Sequence, residues 1–292
     1  MTARIFVNVA AYRDPDLPNT VESLQDTAKG DIRIGIVNQG SPRMGARTGV
    51  TEVHIHPEET RGAGWARYIG YTLREGEPWI YQCDSHIRML PEWDELLIAD
   101  YEKIGQRHVV LSAYPANFKQ NIDGVQSIIR RAHFEGARLV GEAAVEKTAG
   151  RPLLSRGLLS ASHLFAPSFF VDEVPYDPFL MFGGEEDLLA LRAWTCGWDI
   201  WHPTIHMQWH DYGRHGVPRL WTDYPHLAAE MERRSSRRIA ACQEDRLEGV
   251  YALGGERERS AYEAAFGFDF KSRTVADGWE APRLDAPDEI AS

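Results

Sequence analysis

The 292-residue chain has a net charge of −11 and is 43% hydrophobic and 26% charged. This composition is typical of a globular protein with enough apolar material for one large domain or two modest ones. Its acidity argues against nucleic-acid partners and anionic membranes, because both bind clustered Lys and Arg. No apolar run approaches the ~20 residues of a membrane span, and no signal peptide precedes the first strand. We therefore expect a cytoplasmic protein.

Strands and helices alternate in the first half of the sequence. Short apolar runs are separated by helical patterns whose starts and stops carry Pro and Gly. This alternation predicts a central sheet with helices packed on its faces, mostly parallel in this half. The predicted strands are residues 5–10, 32–37, 53–56 and 79–83, and the predicted helices are residues 16–29, one that ends at 73 and one that starts at 91.

The second half follows a different order. Three predicted strands succeed one another with few helices between them, which suggests an antiparallel addition to the sheet. These strands are residues 128–134, 138–145 and 158–165, and they are followed by a helix from Gly184, a strand at 198–201 and helices at 224–244 and 256–266.

The sequence as a whole predicts an α/β fold with a central mixed sheet. We expect the catalytic domain in residues 1–215 and a helical segment packed on it in 216–271. The last residues, 272–292, are rich in Asp, Ala and Pro and are expected to form a flexible tail.

The predicted strand at 79–83 ends in Asp84-Ser85-His86. Side chains at positions i and i+2 of extended backbone point the same way, so Asp84 and His86 can converge beyond the carboxyl end of the strand, where α/β sheets bind ligands. An oxygen beside a nitrogen suits Mn²⁺ better than Mg²⁺. The alternative is an Asp that caps the next helix and a His that only forms hydrogen bonds.

A metal site needs a third ligand from another segment. His210, beside Asp211 and Tyr212, is the best placed, and His206 is its competitor. Both histidines could instead belong to a surface turn. The sequence leaves the choice between His206 and His210 open.

Carboxylates and a glycine-rich loop supply the remaining candidates. Glu185, Glu186 and Asp187 occupy a helix start, where they could bind sugar hydroxyls, act as acid or base, or only complement the helix dipole. The loop at 62–67 could offer backbone amides and the Arg67 guanidinium to a phosphate. Arg13 and Asp14 could hold a nucleotide base or ribose, or simply pair within a turn.

Together, these segments resemble the GT-A-fold N-acetylglucosaminyltransferase family that includes the cytoplasmic enzyme acting on hydroxyproline of a ubiquitin-ligase subunit. More distantly, they are similar to polypeptide N-acetylgalactosaminyltransferases, which share Asp-Ser-His and Gly-Gly-Glu. The resemblance covers roughly residues 4 to 270 and rests on the order and spacing of several motifs. These are Ile5 to Pro15, Gly64 to Arg67, Gln82 to His86, Val174 to Pro178, Phe182 to Glu186, His210 to Arg214, Tyr251 to Gly254 and Gly267 to Asp269.

The resemblance implies a GT-A fold and transfer of a sugar, GlcNAc first, from a UDP-sugar to a hydroxyl acceptor with retention. It implies Mn²⁺, or else Mg²⁺, on Asp84, His86 and His210. Catalytic candidates are Glu185, Glu186 and Asp187. Donor-binding candidates are Ala10, Tyr12, Arg13, Asn38, Gly64, Trp65, Arg67, Asp84, Ser85, Tyr212 and Arg214.

Several features stay open at this stage. The acceptor is a protein, a glycan or a small molecule, and the sequence does not indicate the oligomeric state. A metal-dependent phosphoester hydrolase and a non-catalytic nucleotide-sugar-binding protein are the alternative functions.

Overall fold

Fifteen strands and eight α-helices form residues 3–279, the part of the chain that the computed structural model describes. The strands are β1 (Ile5–Tyr12), β2 (Ile32–Gln39), β3 (Val50–Ile55), β4 (Trp79–Asp84), β5 (Ile87–Met89), β6 (Val109–Ser112), β7 (Ala116–Asn117), β8 (Val125–Glu135), β9 (Arg138–Lys147), β10 (Leu153–Leu154), β11 (His163–Pro167), β12 (Asp199–His202), β13 (Gln208–His210), β14 (Phe268–Asp269) and β15 (Thr274–Val275). The helices are α1 (Leu17–Thr27), α2 (Ala63–Tyr71), α3 (Trp93–Ile104), α4 (Phe170–Glu173), α5 (Glu185–Thr195), α6 (Leu220–Asp223), α7 (Pro225–Gln243) and α8 (Arg259–Phe266).

The central sheet has the strand order β10-β12-β6-β11-β4-β1-β2-β3. Strands β4, β1, β2 and β3 run parallel to one another, as the sequence predicts for the first half. Strand β11 then enters antiparallel between β4 and β6, which makes the sheet mixed. The parallel strands therefore end at one edge, where the loops after β1 and β4 meet.

Helices cover both faces of this sheet. Successive side chains of a strand point to opposite faces, so Val7 of β1 packs towards α1 and α3 while Phe6 packs towards the other face, with Ala190 of α5. Trp93 of α3 is completely buried on the first face and Trp198 on the second. The two apolar layers fix the helices that carry the site residues.

Strands β8 and β9 differ from the sequence-based prediction. They pair only with each other, as an antiparallel hairpin separate from the central sheet. One face is exposed and carries charges such as Arg131 and Glu135, which would lose their water if the hairpin were buried in the sheet. The other face is partly apolar, and Ile129 and Phe134 pack there in the cluster that contains Phe266 of α8.

A second small sheet forms beside the edge of the first. Strand β13 pairs antiparallel with β5 and parallel with β7, and His210 lies opposite Ile87. The backbone N–H of Asp211 then donates to the carbonyl of His86 at 3.0 Å. This pairing holds His86, two residues beyond β4, next to the end of β13.

The expected flexible tail is wrong for residues 272–279. Strand β15 pairs with β14, and Trp279 is 4% exposed with its indole N–H donating to the Phe266 carbonyl at 2.6 Å. An aromatic ring in the α8 core outweighs the polar composition around it. The rest of the predicted tail lies outside the described residues. No helix within residues 3–279 is long and apolar enough to cross a membrane.

Alanine substitutions at two glycines would measure how closely the start of α2 approaches the segment before α5. Gly62 and Gly76 have φ of +94° and +95°, but a Cβ at Gly62 would lie 2.1 Å from the Met181 carbonyl oxygen, whereas nothing lies within 4 Å at Gly76. Gly76→Ala should cost only the strain of positive φ, ~1–2 kcal/mol. Gly62→Ala should lower the free energy of unfolding by at least ~2 kcal/mol more, measured by urea denaturation. Equal losses would contradict this close approach.

Candidate active site

A cavity of about 430 Å³ opens at the edge where the parallel strands end. Its size is typical of small-molecule sites. It receives residues from β1, α2, β4, α5, β13 and the segment that follows β13. Eleven of the residues predicted from the sequence line it, namely Ala10, Tyr12, Arg67, Asp84, Ser85, His86, Glu185, Glu186, His210, Tyr212 and Arg214.

Asp84, His86 and His210 form one group of metal-ligand side chains. One ligand atom from each lies within 4.8 Å of the other two. The Nε2 of His210 is 3.1 Å from Asp84 Oδ2, and the two imidazole rings meet edge to face at 4.5 Å between centroids. The structure therefore brings together the Asp-x-His pair and the distant histidine.

His206 does not belong to this group. Its Nε2 accepts the backbone N–H of Ala116 at 2.5 Å, and the side chain is 2% exposed. It lies before β13, whereas His210 ends that strand opposite Ile87. The small sheet thus selects His210 as the third neighbour of Asp84 and His86.

The donor set of these three residues fits a borderline divalent cation. One carboxylate and two imidazoles suit Mn²⁺ better than Mg²⁺. Burial works against ionisation of Asp84, but the hydrogen bond from His210 and the charge of Arg67 hold the pKa of that carboxyl well below its usual range. Asp84 is therefore an anion at neutral pH, as a metal ligand must be.

Arg67 connects the metal-ligand group to the carboxylates of α5. It is 4% exposed, and its Nη2 donates to Asp84 Oδ1 at 2.7 Å while its Nη1 donates to Glu185 Oε1. The Nη1 also lies 3.1 Å from the Tyr176 hydroxyl. Burial alone would lower the pKa of Arg67, but the charge of Glu185 and the other anionic neighbours raise it well above the usual value.

The two glutamates of α5 have different surroundings. Glu185 is 5% exposed, and its Oε2 has no hydrogen-bond partner among the described residues. Glu186 accepts the Ala161 N–H at 2.6 Å and the Tyr114 hydroxyl at 2.9 Å. Glu185 thus offers an acceptor to a ligand, while Glu186 is held in orientation by the protein.

The segment after β13 covers part of the cavity. The Tyr212 hydroxyl donates to the Pro115 carbonyl at 2.9 Å, and an Arg214 Nη lies 3.2 Å from Asp14. Further on, Asp223 of α6 accepts from the Tyr12 hydroxyl at 2.9 Å. These contacts tie the segment to the end of β1.

Five predicted residues lie outside the cavity lining. Arg13 pairs with Asp223 at 2.8 Å, Asn38 donates to Glu52 at 2.6 Å, and Trp65 packs beside Arg61. A Cβ at Gly64 would lie 2.6 Å from the Leu180 carbonyl oxygen, so Gly64 serves helix packing. Asp187 accepts from the Leu139 N–H at 3.0 Å and thereby ties α5 to the β8–β9 hairpin.

Several lining residues were not among the predicted site residues, although Phe182 begins one of the motifs that carry the family resemblance. Gln39 lines the cavity although its neighbour Asn38 does not, because adjacent side chains of a strand alternate in direction. Phe182 and Trp221 form a tilted ring pair 5.2 Å apart at the cavity mouth. Tyr114 and Ser160 come from loops that carry no local motif. Only the alternation along β2 could have identified one of them from sequence.

A model of the family described as Glycosyltransferase (GlcNAc) matches residues 42–280, which include most residues of this cavity. The chain belongs to this glycosyltransferase family. No curated protein matches it in sequence.

Solved structures share the fold of this glycosyltransferase. The structure of GalNAc-T7 with UDP, GalNAc and Mn²⁺ is 16% identical, with a TM-score of 0.55 over 91% of this chain and 55% of that chain. The structure of S. aureus TarS 1–349 in complex with UDP-GlcNAc is 12% identical, with a TM-score of 0.56 over 90% of this chain and 70% of that chain. The chain thus spans about half of the GalNAc-T7 chain. These likenesses confirm the predicted GT-A fold, a mixed sheet flanked by helices.

Glu186 gives the stability of the protein a predictable pH dependence. Burial raises its pKa from 4.5 to about 7. A carboxyl whose pKa is raised by folding stabilises the folded state while both states are protonated, and this stabilisation is lost as the pH rises from 4.5 to about 7. Glu186→Gln should therefore raise the free energy of unfolding relative to wild type by roughly 2 kcal/mol more at pH 8 than at pH 5, measured by urea denaturation. If Glu186→Gln and wild type differed in the free energy of unfolding by the same amount at both pH values, this pH dependence would be contradicted.

The choice between the two histidines can be measured directly. His210→Gln should abolish Mn²⁺ binding, because it removes one of three converging ligands. His206→Gln is the matched control and should retain wild-type affinity, since the Ala116 contact lies outside the ligand group. Both affinities are read from the electron paramagnetic resonance signal of free Mn²⁺. Loss of binding in His206→Gln alone would reverse the assignment.

Proposed function

We propose that this glycosyltransferase moves a sugar, with GlcNAc as the leading candidate, from a UDP-sugar to a hydroxyl acceptor. The reaction depends on Mn²⁺ and retains the anomeric configuration. The acceptor is a protein, a glycan or a small molecule. The resemblance to the hydroxyproline-modifying type makes a hydroxylated protein the first acceptor to examine.

One observation carries this proposal. The ligand group of Asp84, His86 and His210 and the carboxylate of Glu185 share one cavity, and Arg67 bridges Asp84 to Glu185. A diphosphate needs cationic partners, and a sugar needs buried acceptors for its hydroxyls. The cavity supplies both within the reach of one guanidinium.

Each residue has a proposed role in donor binding. Glu185 Oε2, buried and without a partner among the described residues, accepts a hydrogen bond from a sugar hydroxyl. Arg214 faces the diphosphate with a guanidinium that is partly buried. Ala10 and Tyr12 line the cavity at the end of β1, and we assign the nucleoside to this part of it. A divalent cation on Asp84, His86 and His210 would neutralise the charge that builds on the leaving diphosphate.

The acceptor side of the cavity needs no protein nucleophile. The bond between the anomeric carbon and the diphosphate oxygen breaks, and the acceptor oxygen forms a bond to the same carbon. A departing phosphate oxygen can take the proton that the acceptor hydroxyl loses. Arg67 and Arg214 stabilise the developing negative charge electrostatically. Glu186 is held by Ala161 and Tyr114, so we assign it to orienting the donor sugar and the acceptor. It does not compete with Glu185 for the sugar hydroxyl.

The comparisons support the choice of donor. The family description names GlcNAc, and the TarS structure contains UDP-GlcNAc. The GalNAc-T7 structure contains UDP, GalNAc and Mn²⁺, which supports both the nucleotide and the ion. A phosphoester hydrolase with two metals would need further ligands, whereas residues 3–279 contain one such ligand group.

Release of UDP from a panel of UDP-sugars tests the proposal without a known acceptor. Slow hydrolysis of one donor should require Mn²⁺ and stop with a chelator. Asp84→Asn should reduce the rate by more than the roughly 10–100-fold that loss of a supporting partner costs. Asp123→Asn, an exposed carboxylate with the same charge change, should keep the wild-type rate.

Two outcomes would contradict the proposal. One is donor hydrolysis that is unaffected by the chelator, because the reaction would then not depend on a metal ion. The other is no binding of UDP and no release from any donor, which would remove the transferase function itself.

A further inference from the structure

Asp14 contacts His86 of the metal-ligand group but does not line the cavity. It follows β1 and is 1% exposed. Its Oδ2 receives three donors, the Ser85 hydroxyl at 2.6 Å, His86 Nδ1 at 2.7 Å and an Arg214 Nη at 3.2 Å. One carboxylate oxygen therefore contacts the Asp-Ser-His motif and the segment that covers the cavity.

The contact with His86 determines which ring nitrogen carries hydrogen. An ionised carboxylate only accepts hydrogen bonds, so His86 Nδ1 must donate to Asp14. In a neutral imidazole the other nitrogen, Nε2, then keeps its lone pair for a cation. Histidine ligands commonly depend on such a partner for both tautomer and ring orientation.

The backbone around Asp14 holds this carboxylate in place without any ligand. The N–H of Asp14 donates to the Ser41 hydroxyl at 2.8 Å, and Asp14 Oδ1 accepts the N–H of Asp16 at 2.9 Å. Ser41 is itself fixed, because its N–H donates to Asn38 Oδ1 at 2.8 Å. Asn38 thus acts behind the site and not on a donor.

We infer that Asp14 is a positioning residue, which fixes His86 in the metal-binding tautomer and links metal affinity to Arg214. The inference rests on the metal site of the proposed function and goes beyond it, since Asp14 contacts neither ion nor donor. The link arises because His86 and Arg214 share the same oxygen.

Arg214 is poised to change partners. Its φ is +32°, in a region that non-glycine residues seldom adopt, and its Nε has no hydrogen-bond partner within the described part of the chain. An anion in the cavity can therefore attract the guanidinium away from Asp14. Its departure leaves Asp14 Oδ2 more negative beside His86 and strengthens binding of a cation there. Diphosphate and Mn²⁺ then bind cooperatively through Asp14.

Mn²⁺ titration of the nucleotide-free protein tests the positioning role. Asp14→Asn should bind Mn²⁺ about 10–100-fold more weakly than wild type, judged from the paramagnetic resonance signal of free ion. Asp16→Asn is the matched control, because it removes the same charge from the same loop and loses only its contacts with Arg88 and Asn19. It should keep wild-type affinity. Equal affinity of Asp14→Asn and wild type, or equal weakening by both substitutions, would overturn the inference.

A change at Arg214 separates this role from a merely structural one. Arg214→Met should bind Mn²⁺ roughly threefold more tightly in the absence of nucleotide, because a cation has left the oxygen that His86 uses. The same variant should bind UDP more weakly. Weaker Mn²⁺ binding would overturn the proposed link, since it would indicate general loss of order.

The tautomer of His86 can be observed without a folded Asp14 variant. Long-range ¹H–¹⁵N correlation spectra of the metal-free wild type, with the His86 signals assigned through His86→Gln, should show hydrogen on Nδ1. Hydrogen on Nε2 would overturn the inference whatever the variants do. Failure of the wild type to bind Mn²⁺ would instead overturn the metal proposal and this inference with it, whereas wild-type binding without an Asp14 effect would overturn the inference alone.

Discussion

The buried guanidinium of Arg67 is the group on which the rest of the site depends. It joins Asp84, at the end of β4, to Glu185, at the start of α5. Removal of one partner of such a buried pair costs ~3–5 kcal/mol, because the remaining charge has neither water nor a counter-ion. Gly62 and Gly64 let α2 lie against the backbone of residues 177–181, which brings Arg67 within reach of both carboxylates. The metal-binding and sugar-binding ends of the cavity are therefore one electrostatic unit.

Two sets of strand pairs bring the metal-ligand residues next to Arg67. Parallel pairing of β1 with β4 places Asp84 beside Ala10 at the sheet edge. The small sheet then sets His210 opposite Ile87, so that a residue 126 positions from Asp84 contacts it. Neither set of strand pairs takes part in catalysis, but each determines which side chains lie next to one another. The solved structures share the central mixed sheet flanked by helices.

Local patterns predicted the parts of the site that depend on local geometry. Asp84 and His86 converge beyond the end of β4 as expected, although Ser85 and His86 lie in a bend and not in extended backbone. The parallel half of the sheet follows from its alternating strands and helices. The choice of His210 over His206 depends on the pairing of β13 with β5, which no local pattern encodes. Asp14 was predicted either to hold a nucleotide base or ribose or to pair within a turn, and neither prediction found its three donors, because these come from distant segments. Asn38 was predicted to bind the donor, but its neighbour Gln39 lines the cavity instead. A step of one residue along a strand turns the side chain to the opposite face of the sheet.

Anomalous diffraction at the manganese edge, from crystals grown with UDP and Mn²⁺, would locate the ion directly. We expect one strong peak within coordination distance of Asp84, His86 and His210, with the UDP diphosphate as a further ligand and Glu185 still paired with Arg67. UDP bound in the cavity without manganese at these three residues, or manganese held by His206 in place of His210, would contradict it.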